Sequence, residues 1–242
     1  MPVLIASLRL TCVLNALGAG DFSAPVAEAE LRFNDQPHHV ADPDQVLGLD
    51  PLAGTPIRLA LARVASLLPG AHWALALPRP GRLFGLCGPA GTTAAALDSG
   101  ALVVNHAGGA AWVGYHVGPA LQWRLMAAER PMLPLTPAEQ GRTLSEMVAE
   151  AARDLADLDS PAGRRPSLKL GPHLGPAYPR GNQALLERAL TLHEACQVGL
   201  AATAQVLTLH AVQQRERHLR ALDDACLDVV ASVASWPIAA MH

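Results

Sequence analysis

Apolar positions recur at helical spacing over long stretches of the chain, and at shorter, strand-like spacing between them. Ile57, Leu61, Val64 and Leu68 share one helical face behind Thr55-Pro56, a threonine cap with proline at the first helical position. Pro69-Gly70 stops that helix. Leu144, Val148, Ala151, Leu155 and Leu158 form a second face behind Thr136-Pro137-Ala138-Glu139, which reads as a capping box. Glu146, Glu150, Asp154 and Asp157 give this helix an acidic outer side.

Two heptad-like seams follow. The first is Leu186, Ala189, His193, Cys196, Leu200, Thr203 and Leu207; the second is Leu219, Leu222, Cys226, Val229, Val233 and Trp236. One straight helix through both would be about 80 Å long at about 1.5 Å per residue. A break is therefore expected near Gln205 to Thr208, with Thr208 capping the second helix. Gly199, Ala201, Ala202 and Ala204 would let a neighbouring helix approach closely, within the chain or in a homodimer through these C-terminal helices. At the other end, Leu4 to Leu17 has a mixed period and is read as a helix. Ser23 is placed to cap a short second one, Ala24 to Arg32.

Between the helices, His72 to Leu77 reads as a strand and Leu83 to Leu86 as a strand end. Ala101 to Asn105, Ala111 to Val117 and Leu121 to Met126 are short apolar runs parted by Gly108-Gly109 and Gly118-Pro119, the grammar of an antiparallel meander. The fold class is α+β. Residues 1–130 hold a small, mainly antiparallel sheet with flanking helices. Residues 136–242 form a helical region with a long helical hairpin, expected to pack on the first domain.

The richest stretch for chemistry runs from Leu83 to Val117. Gly85, Gly88 and Gly91 recur every third residue, and Thr92 or Thr93 can cap a helix over Ala94 to Asp98. A glycine-rich turn feeding a helix N-terminus can hold phosphate or carboxylate. A Walker loop is excluded, since it needs a lysine beside that turn and the one lysine of the chain is Lys169. Gly18-Ala19-Gly20 does not continue as a dinucleotide fingerprint. If the meander folds as read, His106, Tyr115 and His116 join Gly88, Gly91, Thr92, Thr93 and Asp98 as the candidate small-ligand site. The plainer reading is a tight connection beside hairpin-end residues.

Other candidates fail on spacing. His193-Glu194 begins a zincin motif, but residue 197 is Gln. Cys196 lies one turn from His193, and both fall on an apolar seam, so the pair reads as core. No G-x-S-x-G occurs. His38-His39 with Asp42 and Asp44 looks like a ligand set, but adjacent histidines diverge, and a polar loop is expected without a metal. No cofactor is implied.

Composition narrows the picture further. Of 242 residues half are apolar and 16% charged, so a substantial core is expected. The net charge of −3 argues against a general nucleic-acid coat. Arginine outnumbers lysine 17 to one, a mark of a high-GC genome. Residues 160–181 carry prolines, glycines, Arg164, Arg165, Lys169 and Arg180 without an acid. They read as a linker or ordered loop, with nucleic-acid binding through 164–180 the lesser alternative. Cys12, Cys87, Cys196 and Cys226 are widely spaced among apolar neighbours and read as buried free thiols of a reducing cytoplasm. The first residues make a poor signal peptide, and no apolar run is long enough to span a membrane.

Ala74 to Gly81 (ALALPRPG), Gly85 to Gly91, Ala94 to Gly100 and Tyr178-Pro179 resemble segments of a protein family of high-GC actinobacteria with no known activity. That resemblance implies a source and brings no mechanism. The functional expectation is a non-catalytic cytoplasmic protein that binds a protein partner or itself. The alternative is an anionic-ligand binder or enzyme using the GPAGTT turn.

Overall fold

Side chains alternate across a strand, so each strand of a covered sheet must supply two apolar faces. The computed structural model describes residues 3–32, 37–156, 172–201 and 209–238. It forms two units. The first comprises Met1–Pro134 with Pro172–Arg180 and Ala234–His242; the second comprises Leu135–Gly171 and Gly181–Val233.

The first unit is built on a sheet of β1 (His38–Ala41), β2 (Thr55–Pro56), β3 (Trp73–Ala76), β4 (Leu102–Asn105), β5 (Ala111–Val117) and β6 (Ala120–Met126). Their order is β2-β1-β6-β5-β4-β3. Every neighbour is antiparallel except β1 and β6, where Val40 lies opposite Trp123 in parallel register. The expected meander is present as β4-β5-β6, and the class is α+β. Leu83 to Leu86 is not a strand end; it is a turn closed by Leu86 N–H on the Leu83 carbonyl.

Register sorts the two faces. Ala74, Ala76, Leu102, Val104, Ala111, Val113 and Met126 form one apolar layer, covered by Ala96 of α4 (Ala90–Ser99). Trp73, Val103, Trp112, Trp123 and Leu125 point to the opposite face. There α1 (Val3–Ala19) packs on β3, β4 and β5, with α2 (Ala24–Leu31) and α3 (Ile57–Leu67) beside it. Val40 is on this second face by register with Trp123, and His38 with it. Trp73 and Trp112 meet edge to face at 6.5 Å, a contact worth about 0.5–1.5 kcal/mol beyond area burial. The mixed period of α1 now has a cause: every residue from Ala6 to Leu17 except Arg9 is buried, so no polar stripe is required.

Three helix starts differ from expectation. Thr55 belongs to β2 and pairs with Val40, so α3 begins at Ile57 with Pro56 as its cap residue. Ser23 sits at the cap of α2 but makes no side-chain cap bond. Neither Thr92 nor Thr93 caps the helix after the glycine turn: α4 starts earlier, at Ala90, behind Pro89.

The second unit contains α5 (Pro137–Ala156), most of α6 (Arg180–Ala201) and α7 (Leu209–Ser235) up to Val233. Its capping box forms as read. The Glu139 carboxylate accepts from Thr136 N–H at 2.9 Å and from its hydroxyl at 2.6 Å, and Glu139 N–H returns a bond to Thr136 Oγ1 at 3.4 Å. Leu186, Ala189 and Cys196 of the first seam are buried, as are Leu222, Cys226, Val229 and Val233 of the second. The two helices run antiparallel and close together. Leu219 Cδ1 lies 3.0 Å from where a Cβ would stand at Gly199, and Arg215 donates to the Gly199 carbonyl at 2.7 Å. The expected break and the Thr208 cap lie outside the described residues, as do Arg164, Arg165 and Lys169 of the basic loop.

Candidate functional site

The glycine turn is organised by a facing backbone segment. Glu129 N–H donates to the Gly88 carbonyl at 3.0 Å, and Met132 N–H to the Gly85 carbonyl at 2.9 Å. Gly85 has a φ of 79°, and a Cβ there would overlap the Met132 carbonyl, so this position needs glycine. The Glu129 carboxylate stands 3.0 Å from the corresponding point on Gly88. A negative group of the chain itself therefore sits beside the turn that was read as an anion cradle. The Thr92 hydroxyl donates to the Ala127 carbonyl at 2.6 Å, and Thr93 N–H bonds the Pro89 carbonyl inside α4.

Tyr115 reaches this neighbourhood: its hydroxyl donates to the Ala95 carbonyl of α4 at 3.5 Å, and burial with nearby Asp98 raises its pKa. The two histidines do not join it. His106 follows β4 at one end of the hairpin, and His116 lies at the other end of β5, opposite Leu121. At about 3.3 Å per residue these ends are roughly 20 Å apart. His106 instead approaches His72, with ring centroids 6.0 Å apart. Burial, then His72, pushes the His106 imidazole down to about 4, and burial lowers His72 too. His72 Nδ1 and His106 Nε2 are buried without a hydrogen-bond partner. No group of three or more metal-ligating side chains occurs among the described residues.

His38 and Asp42, read as a polar loop, belong to ordered and buried structure. His38 starts β1, and the Asp42 carboxylate accepts three backbone N–H bonds, from Val46 at 2.7 Å, Leu47 at 2.9 Å and Leu49 at 3.1 Å. Asp42 thus closes the turn after β1. His38 is 7% exposed, and its Nδ1 accepts a bond from Trp123 Nε1 at 3.1 Å. Its other nitrogen, Nε2, is buried with no partner. Burial holds this imidazole neutral, with its pKa down at about 4, so the proton resides on Nε2. A cavity of about 340 Å³ adjoins it, lined by Glu28, Leu31 and Arg32 of α2, by His38, and by Pro56 and Ile57 at the start of α3.

Asn15 is the other buried polar residue that periodicity passed over, although a lone amide in an apolar helix was a signal. Its Oδ1 accepts from Trp73 N–H at 2.7 Å; its Nδ2 donates to the Trp73 carbonyl at 3.0 Å, to Tyr178 Oη at 2.7 Å and to the Ala234 carbonyl at 3.4 Å. Tyr178 in turn donates to Ala234 at 2.7 Å. One amide thereby ties α1, β3 and the two late segments of the first unit together.

The cysteines divide three to one. Cys12, Cys196 and Cys226 are buried and Cys87 is exposed, against the expectation for it; all are free. Burial pushes Cys12 up to about 12, and burial with Asp223 pushes Cys196 up to about 11, so neither is a ready thiolate. His193 does not serve Cys196. Its Nδ1 meets Asp223 at 2.5 Å, and Gln197 donates to the same carboxylate at 2.9 Å, an interhelical clasp within the second unit.

A family model described as Rv1486c-like protein, N-terminal domain, matches residues 7–139. The chain belongs to this family. The Rv1486c-like family is actinobacterial, in line with the likeness seen in the sequence, and brings no activity with it. The matched residues run from α1 through the sheet to the start of α5 and include the Gly88 turn and the His38 cavity, whereas α6 and α7 lie beyond them. No curated protein and no solved structure matches the chain.

Proposed function

We propose that this member of the Rv1486c-like family is a non-catalytic cytoplasmic interaction protein that associates with a second copy of itself. The observation that carries the reading is an apolar ledge on the first unit. The bond from Met132 to Gly85 brings Met132 beside the turn bearing Leu83. Met132 is 70% exposed, Leu83 43% and Leu133 36%. Clustered large apolar side chains on a surface favour burial against a partner. The polar groups around the same turn are already engaged by backbone, which supports a structural role there. A cytoplasmic setting is supported by four free thiols, one of them exposed. No helix among the described residues is long and apolar enough to cross a membrane.

Sedimentation velocity over about 1 to 100 µM, a range that captures micromolar association, tests this. The expected result is a dimer that grows with concentration and is lost in Leu83→Ser/Met132→Ser/Leu133→Ser. A native chain that stays monomeric throughout would overturn the reading.

A further inference from the structure

We propose that Met132 is an oxidisable switch on the apolar ledge: a hydroperoxide converts its thioether to the sulfoxide, and the oxidised chain no longer self-associates. The proposal rests on the self-association reading. Met132 is 70% exposed, whereas Met126 is 8% exposed and Met147 is half-buried. Among the described methionines its side chain is thus the one that an oxidant in solution reaches most readily. The backbone holds it there. Met132 N–H bonds the Gly85 carbonyl at 2.9 Å, Glu129 N–H bonds the Gly88 carbonyl at 3.0 Å, and Gly109 N–H bonds the Ala128 carbonyl at 2.7 Å. Pro131 and Pro134 add two fixed φ angles to the same segment. Residues 128–132 are therefore pinned along two glycine turns, and Met132 cannot withdraw from the surface without breaking those bonds.

The reaction is a two-electron oxygen transfer. A lone pair of the thioether sulfur attacks the terminal oxygen of the hydroperoxide. The S–O bond forms as the O–O bond breaks, and the proton of that oxygen passes to the departing group, which leaves as water or an alcohol. Sulfur is oxidised, the peroxide is reduced, and no third reagent is needed. The product places a polar oxygen where an apolar side chain stood. In a dimer that oxygen is taken out of water beside Leu83 and Leu133, whose side chains offer no hydrogen-bond donor. A buried acceptor without a donor opposes association. A two-fold dimer carries the lesion twice, once per copy. The dimer dissociation constant is expected to rise about tenfold or more. The dimer also covers Met132, so oxidation proceeds from the monomer and slows as the protein concentration rises.

The test uses the full chain carrying Cys87→Ser, because Cys87 is exposed in the same turn and its thiol also reacts with peroxide. A second chain adds Met132→Leu, which keeps an apolar side chain of similar volume and removes the oxidisable sulfur. Each is treated with excess hydrogen peroxide. Peptide mass spectrometry locates the added oxygen, circular dichroism follows the fold, and sedimentation velocity over the same concentrations as above reads association. Met132 is expected to gain oxygen before Met126 and Met147. The oxidised chain should stay folded and sediment as a monomer where the untreated chain is a dimer. Met132→Leu should dimerise equally before and after treatment. A dimer that survives complete oxidation of Met132, an equal loss of dimer in Met132→Leu, or unfolding on oxidation would each overturn the switch alone. An untreated chain that is monomeric throughout would overturn the self-association reading and the switch with it.

Discussion

Asn15 and His38 are both buried polar side chains on the helix-covered side of one sheet, yet they use their polar atoms differently. Asn15 has both ends of its amide engaged, by β3 and by the two segments that return late in the sequence. His38 uses one nitrogen and leaves the other buried with no hydrogen-bond partner. A satisfied buried group makes the structure specific, and its removal strands its former partners. An unsatisfied one costs the fold its desolvation and returns no bond. The difference separates a residue that specifies the packing from one that the packing accommodates, without any appeal to residue type.

The largest way to test that contrast is Asn15→Ala. It leaves Trp73 N–H and the Trp73 carbonyl without side-chain partners, so urea unfolding should show a loss of about 3 kcal/mol or more. A loss under about 1 kcal/mol would place Asn15 with His38 as dispensable to the fold.

The pH dependence of stability comes next. His38 and His106 titrate near 4 in the fold, against an ordinary value of 6.5. Between those values the unfolded chain takes up protons that the folded chain does not. Stability is therefore full above pH 6.5 and falls as the pH drops from there toward 4. Urea midpoints should be lower at pH 5 than at pH 7, and His38→Phe should reduce that drop. Equal drops in the two proteins would show that His38 is not held neutral by burial.

The smallest effect belongs to His38→Phe at pH 7. The substitution costs Trp123 its acceptor but also removes the unsatisfied Nε2–H, and the ring volume is kept. A net loss of less than about 1 kcal/mol is expected in the same unfolding assay. A loss matching that of Asn15→Ala would make His38 a structural residue and remove the basis of the contrast.

Much of the architecture was legible because it rests on local rules. The capping box at Thr136–Glu139, the meander from Leu102 to Met126 and the described parts of both C-terminal seams each follow from spacing over a few residues. The errors at Thr55 and Thr92 share one cause. A threonine before a helix reads as a cap, but Thr55 is taken by strand pairing with β1, and Thr92 by the distant Ala127 carbonyl. Long-range partners displaced the local one. The surroundings of the glycine turn are set at long range too, since nothing near Gly88 in sequence announces the Glu129 carboxylate beside it.

Sequence alone determined the class of fold, the periods of its helices, the meander and the likeness to actinobacterial proteins, because each of these is written in neighbouring residues. Only the tertiary structure decided which polar atoms are satisfied. It set His106 and His116 at opposite ends of the β4–β5 hairpin, set Asp42 to close a turn, and joined Asn15 to Tyr178 across much of the chain. It also left the Nε2 of His38 buried without a hydrogen-bond partner. Hydrogen-bond satisfaction depends on positions in space, and a linear pattern fixes those only for residues within a few turns of one another.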